Sequence, residues 1–132
     1  MIQHSSVLCV ARPTDNLVDI ARMYQKGLGF KRLKAFENRA GEEGIILGLP
    51  GQAYHLEFTR YKNEQVGKAP TEDNLLVFYI PDTEEWQQTC VCMEAAGFNC
   101  VESHSPHWDT EGRSFEDIDG YRVVLQNTQS NH

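Results

Sequence analysis

The stretch RSFEDIDGYRVVLQN, residues 113–127, decides the fold. Asp117-Ile118-Asp119-Gly120 is turn chemistry, with two aspartates that can bond their own backbone and a glycine free to take positive φ. It separates two short runs of alternating character, the pattern of neighbouring strands. By alternation, Arg122, Val124 and Gln126 share one face of the last strand, while Val123 and Leu125 share the other.

Working outward, the same grammar occurs twice. An apolar strand at 7–10 precedes Leu17, Ile20, Ala21, Tyr24 and Leu28 at helical spacing, and the helix stops at Gly29-Phe30. A second apolar strand at 75–80 leads into Pro81-Asp82-Thr83, where Asp82 and Glu85 read as a capping box. Trp86, Cys90, Met93 and Ala96 then form a stripe that ends at Gly97-Phe98. Three strand segments follow each Gly-Phe, at 31–36, 44–49 and 54–60, then at 99–104, 113–116 and 121–126. Each half reads β-α-β-β-β. Residues 61–74 are polar, contain Gly67 and Pro70, and suit an exposed linker. A single βαβββ unit cannot cover both faces of its sheet, so two must pack together, within a chain or by exchange between chains. The expected class is therefore α+β, a single domain over residues 1–132. Module one covers about 5–60, the linker 61–74 and module two 75–127.

The chain is 40% hydrophobic and 23% charged, with a net charge of −7. A polyanion would be repelled, which argues against nucleic acid, while a cationic small molecule would be attracted. The longest apolar runs are too short to cross a bilayer, and the N-terminus has no export-signal pattern, so a cytoplasmic protein without membrane contact is expected. Cys9, Cys90, Cys92 and Cys100 have no zinc-site spacing and read as free thiols. Cys90 and Cys92 fall on different faces of the helix.

Paired βαβββ modules, the Tyr-x-x-x-Leu-Gly-Phe at Tyr24 to Phe30 and the Phe-x-Asp-x-Asp-Gly-Tyr-x-x-x-Leu at Phe115 to Leu125 together resemble the vicinal oxygen chelate superfamily. That group holds glyoxalase I, extradiol dioxygenases, fosfomycin-modifying enzymes and bleomycin resistance proteins. The resemblance spans nearly the whole chain. It implies a curled mixed sheet around a cavity, with a metal held by one His, Glu or Gln from each of four strands. Carried over position by position, those places fall at Val124, Glu57, Leu75 and near Ser5, with His4 beside it. One good donor in four implies that the metal site is lost and that no cofactor is held. Were the first strand to slip by one residue, His4, His55 and Glu57 would instead make a partial site.

Glu57 is the catalytic candidate. In an apolar cavity its carboxyl would have a raised pKa and serve as a base or cation anchor, and the bland alternative is a rim residue paired with Arg122. His55 shares its face. The loop His104-Ser105-Pro106-His107-Trp108-Asp109 is either a lid, with Trp108 stacking on a ligand, or a turn whose Trp packs on the sheet. Tyr79 and Val77 share the face of Leu75, Cys9 points inward, and Phe36, Leu47 and Leu49 are further lining candidates. The expected ligand-binding set is His55, Glu57, Tyr79, His104, Trp108, Arg122 and Gln126. The leading function is binding of a small organic molecule, cationic and planar in the manner of bleomycin, by a homodimer that sequesters a toxic or antibiotic compound. The rivals are a metal-dependent lyase or isomerase of the glyoxalase I type, and a metal-free enzyme with Glu57 as general base.

Overall fold

Two strands can pair in parallel only if the chain crosses over between them, and each half of this chain does so with a helix. The computed structural model describes residues 1–130. In the first half, β1 (Leu8–Pro13) is followed by α1 (Leu17–Leu28), then β2 (Lys31–Arg39), β3 (Glu42–Gly48) and β4 (Tyr54–Tyr61). In the second half, β5 (Leu75–Tyr79) is followed by α2 (Thr83–Ala95) and β6 (Asn99–Val101). A one-turn α3 (His107–Thr110), β7 (Gly112–Glu116) and β8 (Arg122–Gln126) complete it. The strands form two mixed four-stranded sheets, ordered β1-β4-β3-β2 and β5-β8-β7-β6. Among the described residues, only β1–β4 and β5–β8 are parallel pairs. The α+β class and both βαβββ repeats thus stand as the sequence implied.

The chain divides into two compact units, one of Met1–Gln25 with Gly29–Gly67, the other of Lys26–Leu28 with the residues from Lys68 on. In the first, α1 buries Leu17, Ile20, Ala21, Met23 and Tyr24, the stripe its spacing requires. Gly29 ends it at φ 74°, a left-handed conformation that other residues adopt only with strain. Tyr24 meets Phe58 with ring centroids 4.9 Å apart, which fixes the helix-facing side of β4. Leu47, Leu56 and Phe58 complete this core. Leu47, expected as cavity lining, instead faces the helix.

In the second unit, Met93, Phe98, Phe115, Val123 and Leu125 are buried. Cys90 is buried and Cys92 exposed, as helix geometry demands, and burial pushes the Cys90 thiol up to about 11. Asp82 occupies the N-cap of α2 but makes no side-chain cap bond, contrary to the capping-box reading. Asn127 anchors this helix start instead. Its Nδ2 donates to Ile80 O at 3.1 Å and Pro81 O at 3.2 Å, and Thr83 Oγ1 donates to its Oδ1 at 3.2 Å. The turn at 117–120 closes as read. Gly120 N donates to Asp117 O at 3.1 Å, and Asp117 Oδ1 accepts from Asp119 N and Tyr121 N. No helix among the described residues is long and apolar enough to cross a membrane.

The connection between the units is exposed yet tied down. Asp15 Oδ1 and Oδ2 accept from Val66 N and Gly67 N, each at 2.9 Å. Beyond it, Ala69 N donates to Asp119 O at 2.7 Å and Lys68 Nζ to Ile118 O. The two amides, Val66 first and Gly67 second, hold the Asp15 carboxyl below the usual range. A folded-state pKa below the unfolded one stabilises above the unfolded value, about 3.9, and the gain disappears as pH falls through the folded pKa. Asp15→Asn should therefore lower the urea midpoint at neutral pH, with the gap to the native chain closing below about pH 4. A gap that stayed constant down to acid pH would show that the carboxylate charge plays no part.

Candidate functional site

Each sheet has a helix on one face, so any site must use the other. On β4, alternation sets His55, Glu57 and Thr59 opposite the helix-facing Leu56 and Phe58. The parallel register places Cys9 beside His55 and Ala11 beside Glu57. Across β3, Ile46 pairs with Glu57 and Gly44 with Thr59. Phe36 pairs with Gly44, where an added Cβ would lie 2.3 Å from Phe36 Cζ, so the ring needs a glycine beneath it. Above that ring, at 3.7 Å, sits the guanidinium of Arg39. Its Nη2 donates to Glu57 Oε2 at 2.9 Å and Glu42 Oε1 at 2.5 Å. Glu57 is thus partnered by Arg39, which the sequence reading did not single out, and not by Arg122. A general base would first have to give up that guanidinium. Burial pushes the Cys9 thiol above its ordinary value, and the Glu57 carboxylate adds to the shift, so the thiol is not an activated nucleophile. A cleft of about 450 Å³ lies at the hairpin end of this sheet, bordered by Glu37, Asn38, Gly41, Glu42, Glu43 and Arg60.

The second sheet has the same geometry but a different fate. Arg122, Val124 and Gln126 share the face away from α2, together with Ser114, which pairs with Val124. The connection from β6 to β7 crosses this face and is bonded to it three times. Arg122 Nη1 donates to Glu102 O at 3.1 Å, Gln126 Nε2 donates to Trp108 O at 2.8 Å, and the Ser103 and Ser114 hydroxyls bond each other. Val124 and Ser114 are fully buried beneath. Residues 102–111 therefore form a strap rather than an open lid. Trp108 contributes its carbonyl to the sheet, and its ring stands 4.8 Å, edge-on, from that of His107. Arg122 is buried, near Glu72 at 3.7 Å and Glu116 at 3.9 Å, while its Nε has no partner among the described residues. His104 is exposed on the strap, and Tyr79 is exposed beside Gln126 at the open edge of β5.

The expected site residues therefore fall into two groups, His55 and Glu57 on the first unit, and Tyr79, His104, Trp108, Arg122 and Gln126 on the second. The registers also correct one metal position. Val124 pairs with Val77 as Glu57 pairs with Ala11, and two residues earlier on those first strands stand Leu75 and Cys9. Cys9, not Ser5, is the counterpart of Leu75. Ser5 and His4 precede β1 in a turn closed by Ser6 N donating to Gln3 O at 3.0 Å, so the partial site through His4 does not form. The four positions carry a thiol, a carboxylate and two alkyl groups. Two alkyl groups offer a divalent ion nothing, and this donor set does not fit the superfamily's metal. Among the described residues, no three His, Cys, Asp or Glu side chains are placed to share a metal ion.

Paired βαβββ modules with parallel first and last strands define the vicinal oxygen chelate fold. Within that class the chain belongs to the YycE-like family, since residues 8–59 match the YycE-like N-terminal domain and residues 73–127 the YycE-like C-terminal domain. The uncharacterized protein YycE of Bacillus subtilis (strain 168) is 40% identical over 120 residues, 91% of this chain and 86% of the relative. A crystal structure of a YycE protein of unknown function from Bacillus subtilis matches with a TM-score of 0.88 at 38% identity, covering 96% of this chain and 93% of that one. The fosfomycin resistance protein FosX from Mesorhizobium loti matches with a TM-score of 0.70 at 14% identity, over 98% and 94% of the two chains. TnmS3, an antibiotic binding protein from Streptomyces sp. CB03234, matches with 0.62 at 19%, over 95% of each. At these last two identities the likeness is one of fold.

The strap makes a direct prediction. Gln126→Ala leaves the Trp108 carbonyl without its donor and should cost about 1–3 kcal/mol. Hydrogen exchange should quicken across 103–110 while β3 and β4 keep their protection. Unchanged exchange in the strap would mean that this bond does not hold it.

Proposed function

We propose that this chain binds a small organic molecule without a metal, on the face of its first sheet that carries His55 and Glu57. The observation that carries this reading is the donor set, in which Leu75 and Val124 stand where the superfamily's enzymes place ligands. A metal held by Cys9 and Glu57 alone would lack the ligand count that affinity requires. The remaining features of the face suit an organic guest, with an aromatic ring, a small apolar patch at Ala11 and Ile46, and a few fixed polar groups. That TnmS3 is an antibiotic binding protein on the same fold supports sequestration of a toxic or antibiotic compound as the biological use. In this reading Arg122, Gln126 and the Trp108 carbonyl hold the strap, and the bound molecule is contacted from the first unit. The proposal includes a homodimer, because Val7 and Leu8 expose apolar side chains at the outer edge of the first sheet.

After dialysis against nickel, zinc, manganese and iron, elemental analysis should find far less than one metal per chain. A screen of planar cationic compounds should raise the melting temperature of the native protein, and Glu57→Ala should abolish the rise. One tightly held metal per chain, lost in Glu57→Ala, would overturn the proposal in favour of a glyoxalase I type of enzyme.

A further inference from the structure

The position of Arg39 says more about the guest. Its guanidinium lies 3.7 Å over the face of Phe36 and donates to two carboxylates, Glu57 and Glu42. An aromatic face with carboxylates at its edge is a receptor for a planar cation, because ring quadrupole and hydrogen-bond acceptors both favour positive charge. The receptor is built in, whereas its occupant is not. The Glu57 and Glu42 side chains are only 14% and 11% exposed, while that of Arg39 is 51% exposed. Tyr61 adds a hydrogen bond to Glu42, so that carboxylate keeps a partner whether or not Arg39 is present. Two carboxylates against one guanidinium also leave the seat one negative charge in excess.

Ala40 and Gly41, with φ of 53° and 84°, are the two central residues of a tight hairpin turn that calls for positive φ at both, and this turn sets Arg39 opposite Glu42 at the end of β2.

We infer that Arg39 is a resident stand-in for the ligand, and that the site binds small molecules bearing a guanidinium or amidinium group, which displace Arg39 from Phe36, Glu57 and Glu42. This rests on the binding reading given above and specifies its chemistry. An internal competitor weakens apparent affinity by the fraction of time the seat is empty, so its removal strengthens binding. An anion-binding role for Arg39 requires the opposite.

The test is calorimetric titration of benzamidinium, with neutral benzamide as its control, into the native chain, Arg39→Gln, Phe36→Leu and the Arg39→Gln/Glu57→Gln pair. Arg39→Gln should bind benzamidinium about tenfold more tightly than the native chain, corresponding to a seat empty about a tenth of the time. Phe36→Leu and the double variant should lose binding, and benzamide should bind none of them well. Equal or weaker binding by Arg39→Gln, or benzamide binding as well as benzamidinium, overturns the inference. So does an Arg39→Gln chain that fails to fold, since Arg39 is then a structural member. A neutral or anionic compound bound on the Glu57 face, with no preference for benzamidinium, sinks this inference and leaves the binding protein standing. No binding by any compound sinks both.

Discussion

The parallel pairing of the first and fourth strands in each module is the constraint on which the rest depends. Parallel neighbours need a crossover, the crossover is a helix, and the helix must lay its apolar stripe on the sheet it spans. One face of each sheet is thereby committed to Tyr24 and Phe58 in the first unit and to Met93, Phe115 and Leu125 in the second. The other face is left for chemistry. Because side chains alternate, the register of that one pairing decides every residue available there, and a slip of one would exchange Glu57 for Leu56 or Phe58.

The two free faces have been put to different uses. On the second sheet, valine stands at 124, and the strap covers it with carbonyls and a hydroxyl matched to Arg122, Gln126 and Ser114. Buried polar groups need partners, and the strap is where these find them. On the first sheet the carboxylate remains and is satisfied by an arginine from a neighbouring hairpin. A metal enzyme of this superfamily needs donors on both. This chain carries Cys9 and Glu57 on one, and its own backbone covers the other.

The fold was legible because each of its signals is local. The Asp-Ile-Asp-Gly turn, the two helical stripes and the two Gly-Phe stops need no knowledge of distant residues, and together they specify βαβββ twice. The register of β1 was not legible by the same route. Aligning the halves on Gly-Phe sets Val7 against Leu75, two residues short of Cys9, because α1 starts 12 residues before Gly29 and α2 starts 14 before Gly97. Counting back from the helix starts instead would have led to Cys9, which stands as far before Leu17 as Leu75 stands before Thr83. Arg39 was not legible because residues 37–43, ENRAGEE, have no period and read as a polar gap. Its role comes from side-chain bonds across a hairpin and a strand. The capping box failed for a similar reason, since Asn127, remote in sequence, holds the helix start that Asp82 was expected to cap.

The central claim is that small molecules bind on the open face of the first sheet while the second sheet's corresponding face is closed by its own strap. The most direct measurement is a map of backbone amide shifts as a fragment mixture of cationic, neutral and anionic small molecules is titrated into the uniformly labelled protein. The account predicts perturbations concentrated at 9–11, 36–46 and 55–59, with 102–126 unmoved. Shifts concentrated in 102–126, or a strap that becomes mobile on binding, would contradict it.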